Sequence, residues 1–291
     1  MKGYKAFNKG LICKGKQYKE NETFEEERAV PCHRGMHFCK NPFDVLNFYD
    51  LVDENGEFSD FARVEAPDDA EVKTDDNIKY CTTKLKVGAK FSFAGFVKTC
   101  VDFVIEKTQS EKPDSGDSAK IGSSGYSAKI GSSGYSAQIG SSGYYAQIGS
   151  SGDYAQIGSS GDSAKIGSSG DSAQIGSSGD YAQIGSSGYS AQIGSSGDSA
   201  KIGSSGDSAK IGSSGDSAKI KSTGYDSIIC CAGDDSCVSA KKGSWITLAE
   251  WKYSYEKDRY VPKCVKTEYV DGERIKEDTM YKLIDGEFTE V

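Results

Sequence analysis

Both histidines of the 291-residue chain fall within residues 32–39, whose sequence is CHRGMHFC. Thiolate sulfur and imidazole nitrogen are the ligands that structural zinc prefers. The spacing matches no standard zinc template, because such sites usually join two well-separated ligand pairs. A turn followed by a buried strand with reduced cysteines is the simpler interpretation. The candidate zinc ligands are Cys32, His33, His37 and Cys39.

No other group of residues has the spacing of a catalytic motif. The sequence lacks a Ser/His/Asp arrangement, a phosphate-binding glycine loop and a paired-carboxylate signature, and its repeated GSSG segments have a structural role. We therefore predict a nonenzymatic protein with no catalytic residues and no cofactor.

Tyrosines concentrate between residues 126 and 189, at two variable positions of a repeated sequence, whereas the last three repeats contain none. Tyrosine is favoured at interface hot spots because it presents a large, rigid ring with a polar tip. Alternatively, stacked tyrosines only stabilise a β ladder. The candidate binding residues are Tyr126, Tyr135, Tyr144, Tyr145, Tyr154, Tyr181 and Tyr189.

These tyrosines belong to twelve consecutive copies of a nine-residue unit, GSSG-(D/Y)-(S/Y)-A-(K/Q)-I, with isoleucine at every ninth position from Ile121 to Ile220. A unit this short has to stack on its neighbours to form a core. Alternation directs Ala119 and Ile121 inward and Lys120 outward. The GSSG segment predicts a corner, with two glycines that tolerate positive φ and hydroxyls that can bond the turn backbone.

Two units should form one coil of a flattened, two-sheet roll, so residues eighteen apart should lie above one another. Twelve units then make about six coils, and at about 4.8 Å per coil the solenoid would be about 29 Å long. The predicted fold class is mainly β, a β-roll-like solenoid flanked by an α+β N-terminal domain and a small β C-terminal cap.

Three specialised functions of the repeat are disfavoured. Calcium-binding nonapeptides carry their aspartate one residue later in the unit, and several repeats here replace it with tyrosine. An ice-binding surface would present regular threonines rather than mobile Lys and Gln. A DNA mimic needs a strongly acidic rod, whereas residues 114–220 hold nine Asp against six Lys.

Residues 1–112 have a globular composition and predict an α+β domain. Short strands are expected at residues 4–7, 61–66, 84–87 and 90–93. Asn41, followed by Pro42, predicts the start of a helix over residues 41–52. A second helix is expected over about residues 95–106.

After Ile220 the repeat decays, and residues 113–237 are predicted to form the solenoid with a degenerate capping coil over 221–237. Terminal units of a solenoid have to be atypical, since open ends would polymerise. Residues 238–291 predict a β meander, with tight turns at Asp271-Gly272 and Asp285-Gly286.

Composition sets outer bounds on function. The net charge of −8 argues against direct nucleic-acid binding. The chain begins without the apolar core of a signal peptide, and no apolar run is long enough for a membrane span. Nine cysteines, an odd number, favour reduced thiols over a disulfide framework. We therefore expect a cytoplasmic protein without membrane association.

Two segments resemble bacteriophage and prophage proteins. Residues 4–7 (YKAF), 13–18 (CKGKQY), Cys32 and 35–46 (GMHFCKNPFDVL) are similar to an uncharacterised N-terminal domain of such proteins, which often precedes short glycine-rich repeats. Residues 270–288 resemble their closing segment. The resemblance covers most of the chain and implies a phage context without a named activity.

A narrower similarity concerns Gly35-Met-His-Phe followed by an Asn-Pro-capped helix, which resembles the strand and helix of ADP-ribosyltransferase folds. That resemblance implies a His or Arg on an early strand and a late catalytic Glu. The early strand here offers only Tyr4, Lys5 and Phe7, and no Glu lies in a recognisable motif. A degenerate version of that fold would bind a nucleotide rather than transfer part of it.

Together these features predict a cytoplasmic phage or prophage protein that binds a host protein or ribonucleoprotein complex. An inhibitor of a bacterial defence system, such as an anti-CRISPR protein, is the leading hypothesis within that class. A virion, assembly or fibre role, and nucleotide binding or modification by the N-terminal domain, are the alternatives. The sequence leaves the oligomeric state open.

Overall fold

The computed structural model describes residues 1–108 and 116–291 and shows a mainly β protein built in layers. An antiparallel N-terminal sheet packs on a helical layer, and the helical layer packs on a two-sheet β-solenoid. The boundary predicted between residues 112 and 113 lies outside the described residues.

The N-terminal sheet has seven strands in the order β4-β9-β6-β1-β5-β8-β7, and every neighbouring pair is antiparallel. A separate two-stranded ribbon joins β2 and β3. The strands are β1 (Lys2–Phe7), β2 (Ile12–Cys13), β3 (Lys16–Gln17), β4 (Thr23–Glu25), β5 (Met36–Cys39), β6 (Asp60–Glu65), β7 (Val72–Thr74), β8 (Lys79–Thr82) and β9 (Lys84–Lys90).

The helical layer contains a 3-10 helix, Pro42–Asn47, and helix α1, Phe93–Thr108. Asn41 caps the first as predicted, its side chain accepting a bond from Phe43. The helix predicted to reach residue 52 ends earlier, because the Leu51 amide donates to a solenoid side chain, Gln183 Oε1, at 3.0 Å. The strand predicted at residues 90–93 is wrong, since Ser92 Oγ accepts from Gly95 and starts α1.

The solenoid confirms the eighteen-residue coil and makes about seven turns over residues 120–248, slightly more than expected. Parallel neighbours are in register, for example Ile157 beside Ile175. Its strands are β10 (Lys120–Ser123), β11 (Lys129–Ser132), β12 (Gln138–Ser141), β13 (Gln147–Ser150), β14 (Gln156–Ser159), β15 (Lys165–Ser168), β16 (Gln174–Ser177), β17 (Gln183–Ser186), β18 (Gln192–Ser195), β19 (Lys201–Ser204), β20 (Lys210–Ser213), β21 (Lys219–Ser222), β22 (Ile228–Cys231) and β23 (Cys237–Ser239).

Alanine and isoleucine point into the roll as predicted; Ala173 and Ile184, for example, are fully buried. The expectation that the GSSG glycines adopt positive φ is wrong. In the corners from Tyr145 to Ser217 the left-handed residue is instead the Ser or Tyr before the alanine, as at Ser172 with φ 54°. The second glycine of GSSG is required by space instead. A Cβ on Gly170 would lie 2.0 Å from the carbonyl oxygen of Gly152 in the preceding coil.

The C-terminal cap extends both sheets of the solenoid. Its strands are β24 (Trp245–Ser254), β25 (Arg259–Tyr269), β26 (Tyr281–Ile284) and β27 (Glu287–Glu290). Strand β24 continues the parallel ladder after β22, and β25 closes that sheet by antiparallel pairing. Strands β26 and β27 close the other sheet beyond β23. The predicted capping coil thus carries β22 and β23 within the same two ladders.

Candidate functional site

The two solenoid sheets have nearly the same sequence but different surroundings. The covered sheet, formed by the odd-numbered strands β11 to β23 with β26 and β27, lies against the helical layer. The open sheet, formed by the even-numbered strands β10 to β24 with β25, does not. In the middle of the solenoid all four residues of each covered strand are buried, whereas open strands alternate exposed and buried residues.

Helix α1 packs on a row of glycines at the centre of the covered sheet. A Cβ on Gly131 would lie 2.7 Å from the Cα of Ile105, and one on Gly203 would lie 2.6 Å from Cζ of Phe93. The four coil steps between these glycines span about 19 Å, and the helix rises about 18 Å between these two contact residues. One ridge of residues four apart therefore follows the whole row. The ridge consists of Phe93, Val97, Val101 and Ile105.

Beside the glycine row, the Lys/Gln position of the covered sheet bonds to residues 41–57. Gln147 accepts from Asn41 at 2.7 Å and donates to Asp44 at 2.8 Å. Burial lowers the pKa of Lys165 to about 8, with Asp44 acting in the opposite direction. Further contacts join Lys165 to Asn47 and Lys201 to Asp50, and Lys219 Nζ donates to the Asp53 carbonyl at 3.4 Å. Lys221, which stands in register with Gly203 in the glycine row, pairs with Glu57 at 3.2 Å. These outward side chains of the covered sheet therefore form hydrogen bonds and ion pairs with residues 41–57 of the same chain.

On the open sheet, the corresponding glycine row and Lys/Gln ladder face solvent. They line a shallow trough of about 1060 Å³. A Cβ on any glycine of its central row from Gly140 to Gly212 would meet no atom within 4 Å. The parallel side-chain ladder carries two ammonium groups and no carboxylate. At the C-terminal end, Trp245 is 50% exposed and packs against Tyr269, with ring centroids 5.1 Å apart and ring planes tilted by 51°. The ladder consists of Lys120, Gln138, Gln156, Gln174, Gln192 and Lys210.

The candidate tyrosines lie at the two corners of the roll, so they form two groups rather than one face. All seven are exposed. At the first edge, where the chain turns from the open to the covered sheet, Tyr126 stacks on Tyr144 at 5.6 Å and Tyr145 packs edge-on against both. Tyr181 lies farther along this edge. The second edge carries Tyr135, Tyr154 and Tyr189. The ring centroids of Tyr135 and Tyr154 lie 5.3 Å apart.

Three of these tyrosines occupy a backbone conformation that bulky residues rarely adopt. Tyr145, Tyr154 and Tyr181 have φ of 57°, 54° and 57°. The same position is serine in the other repeats with this conformation, for example Ser163 and Ser172. Left-handed backbone at a large side chain costs free energy and is commonest where function requires it. Because Ser163 and Ser172 have the same conformation, it is a property of the corner and does not distinguish binding from ladder stacking.

The aspartates that alternate with tyrosine at the corners have a structural role. Asp153 Oδ1 accepts from the amide of Asp171 in the next coil at 2.8 Å, and Asp171 in turn accepts from Tyr189 at 2.7 Å. The first edge has the same arrangement, with Asp162 accepting from Asp180. A tyrosine at this position gives up the carboxylate acceptor and presents a ring instead.

The four zinc candidates do not converge on one point. Cys32 and His33 are exposed, whereas Cys39 is buried. His37 Nε2 accepts from the Cys32 amide at 3.1 Å. Burial, together with Lys5 and Lys79, lowers the pKa of His37 to about 4, and burial raises that of Cys39 to about 12. Across residues 1–108 and 116–291, no three His, Cys, Asp or Glu side chains group as metal ligands.

Sequence reasoning missed two features. The open glycine trough is one, although glycine at an outward strand position in every repeat was the available signal. The other is Lys5, an inward-pointing lysine on β1 that is only 5% exposed. Its signal was a lysine within an otherwise apolar strand, Tyr-Lys-Ala-Phe.

Comparison with known proteins gives one match. Residues 1–99 match the model of a family described as a domain of unknown function, DUF7666. No curated protein and no solved structure matches the chain. In the described part of the chain, no helix has the length and apolar character needed to cross a membrane.

Proposed function

We propose that this chain is a nonenzymatic interaction protein that binds a macromolecular partner through the open sheet of its solenoid and the tyrosines of the first edge. One observation carries the proposal. Of two chemically similar solenoid faces, one is filled by the protein's own helix and the other is exposed along its full length.

The covered sheet indicates what kind of surface fits the trough. There, an apolar ridge of α1 follows the glycines while amide and carboxylate groups bond the Lys/Gln ladder. The open sheet offers the same glycine row and amide ladder. Since Lys120 and Lys210 bracket this ladder without a carboxylate, the complementary partner surface is a helix with an apolar ridge and acidic flanks.

The tyrosines of the first edge extend this surface around one corner. Tyr126, Tyr144 and Tyr145 form a contiguous, exposed group of rings. Rings of this kind supply much of the binding free energy at protein interfaces. The repeat frame keeps its backbone while its corner residues change, so the same scaffold can present different rings to different partners.

The resemblance to phage and prophage proteins directs the proposal to a partner class. We propose that the partner is a cytoplasmic host protein or ribonucleoprotein complex. Within that class, we propose that the chain inhibits a bacterial defence system. A rigid surface about 30 Å long can block a large complex without chemistry of its own. Direct nucleic-acid binding and transferase chemistry are not part of this proposal.

The first experiment is native mass spectrometry of the tagged protein, purified gently from bacterial cells. We expect a complex with one defined host partner, and its affinity is then measured with purified components. A bare trimer would contradict the proposal and favour the fibre role.

Two matched triple variants locate the interface. Replacing Tyr126, Tyr144 and Tyr145 with serine should weaken partner binding by about tenfold or more. Replacing the second-edge tyrosines with serine is the control, because it removes the same number of rings from the opposite corner. Gly176→Arg should also abolish binding by filling the trough. Equal affinity of all three variants and the unmodified protein would refute the proposed surface.

A further inference from the structure

A second candidate site, independent of the solenoid, lies inside the N-terminal domain where its sheet splits. Strands β1 and β5 are neighbours but pair only at Tyr4 and Cys39. A cavity of about 380 Å³ opens beside this split, near the lower end of the range of about 300–1,000 Å³ for small-molecule sites. Lys5 fills part of the gap, its Nζ donating to the His37 carbonyl at 2.9 Å.

Lys5 is a buried ammonium group without an anionic partner. Its second contact is the Cys13 sulfur at 3.5 Å, and within residues 1–108 and 116–291 no carboxylate lies within 4.0 Å of its Nζ. Burial lowers the pKa of Lys5. A buried charge costs free energy unless it is paired. An anion that enters the cavity would therefore gain an ion pair with the Lys5 ammonium group.

The rest of the cavity has the same sign of charge. Lys14, Lys16 and Lys79 line it together with a single carboxylate, Glu26, which already pairs with Lys16 at 2.5 Å. Its imidazole, on His37, is neutral at physiological pH because its pKa is about 4. A cationic cavity in a chain with a net charge of −8 is a local exception that concentrates small anions.

The walls of the cavity are aromatic. Tyr18 and Tyr49 line it, and the Tyr49 hydroxyl donates to the Cys13 sulfur at 2.9 Å. At the rim, Phe48 is 43% exposed, and Lys79 Nζ lies 4.2 Å from its ring centroid. Flat ring surfaces beside ammonium groups suit a ligand that combines a planar ring with an anionic group.

We infer that this cavity is a binding site for a small aromatic anion, a planar ring of single-nucleotide size or less carrying a phosphate or carboxylate that pairs with Lys5. The phosphate of a nucleoside monophosphate and the carboxylate of an aromatic acid share this chemistry. The inference does not depend on the proposed function of the solenoid.

The test is calorimetric titration of the full-length protein with four probes: AMP, adenosine, benzoate and inorganic phosphate. We expect AMP or benzoate to bind, adenosine to bind at least about tenfold more weakly than AMP, and inorganic phosphate to bind more weakly than either ring-bearing anion. Binding of AMP but not benzoate would show that the natural ligand carries a phosphate. Binding of benzoate but not AMP would show that it carries a carboxylate. Failure of both to bind at millimolar concentration would overturn the inference.

Variants of two lysines on the same strand provide the control. Lys5→Met keeps the length of the side chain and should lower the affinity by about tenfold or more, while the thermal midpoint stays the same or rises because a buried charge is removed. Lys2→Met removes an exposed charge from β1 and should leave the affinity unchanged. If Lys5→Met folds poorly, Lys79→Met at the rim should still weaken binding by about threefold. Unchanged affinity in the Lys5 or Lys79 variant would refute the site.

Discussion

Gly203 and Gly212 provide a direct test of how the helical layer docks on the solenoid. Each glycine is centred in the same eleven-residue sequence, DSAKIGSSGDS, at residues 198–208 and 207–217. Gly203 lies on the covered sheet and Gly212 on the open sheet. A substitution at either position therefore has the same local sequence, and only the tertiary environment differs.

Valine at the two positions should have opposite effects. A Cβ on Gly203 would lie 2.6 Å from Cζ of Phe93 and 2.8 Å from Cε1 of Phe58, whose rings stack with centroids 4.1 Å apart. Both rings have to move, and overpacking of this kind costs about 1–3 kcal/mol. A Cβ on Gly212 meets nothing within 4 Å. Since glycine is unfavourable in a strand, Gly212→Val should be neutral or stabilising by about 0.5–1 kcal/mol.

Hydrogen exchange with mass spectrometry measures the effect where it arises. In Gly203→Val, amides of α1 should exchange about five to thirty times faster, the factor that 1–2 kcal/mol of lost docking energy gives. In Gly212→Val, exchange in α1 should match the unmodified protein. Thermal unfolding followed by circular dichroism provides the global comparison. Equal exchange in α1 for both variants would refute the assignment of the covered sheet.

Three further predictions follow from the coil geometry and from His37. Asp171→Ala should destabilise the solenoid by about 1 kcal/mol because the Tyr189 amide loses its acceptor, whereas Asp171→Asn keeps an acceptor; equal thermal midpoints for the two would contradict the ladder. Deleting residues 198–206 removes half a coil and moves the cap strands to the opposite sheets, whereas deleting 198–215 removes one whole coil. The shorter deletion should therefore lower the thermal unfolding midpoint more than the longer one. The reverse order would exclude the eighteen-residue coil. As pH falls below about 6.5 the unfolded chain protonates His37, whereas the folded protein does so only near its pKa of about 4. The free energy of unfolding should therefore fall as the pH drops between these values, by less than about 1.4 kcal/mol per pH unit because His37 is partly exposed. His37→Gln should remove this slope, and an unchanged slope in that variant would exclude His37 as its source.

Much of the solenoid could be predicted because each nine-residue unit contains the residues that determine its own strand and its own corner. Alternation of Ala and Ile with Lys or Gln fixes which side chains enter the roll, and the corner residues fix where the strands end. Stacking eighteen residues apart follows because two corners return the chain to its starting direction. The N-terminal domain was harder to predict, since residues 48–52 follow the covered sheet rather than continuing the helix that Asn41 and Pro42 start.

The candidate site could be predicted only in part. The tyrosines stand out as departures from the repeat, but their division between two edges depends on which sheet each strand joins. Lys5 lies in an unremarkable strand, and its isolation from carboxylates is a property of distant segments, Cys13 and His37, that the fold brings beside it.

The sequence by itself determined the roll, its register and its inward and outward faces, because these depend on contacts between repeats of known spacing. It left undecided which of the two similar faces would be covered. The tertiary structure decided this through the acidic and amide groups of residues 41–57, which match the ladder containing Gln147, Lys165 and Lys201 rather than the glutamine-rich ladder of the open sheet. Periodic sequence specifies periodic structure, and only a segment outside the repeat can make its two faces different.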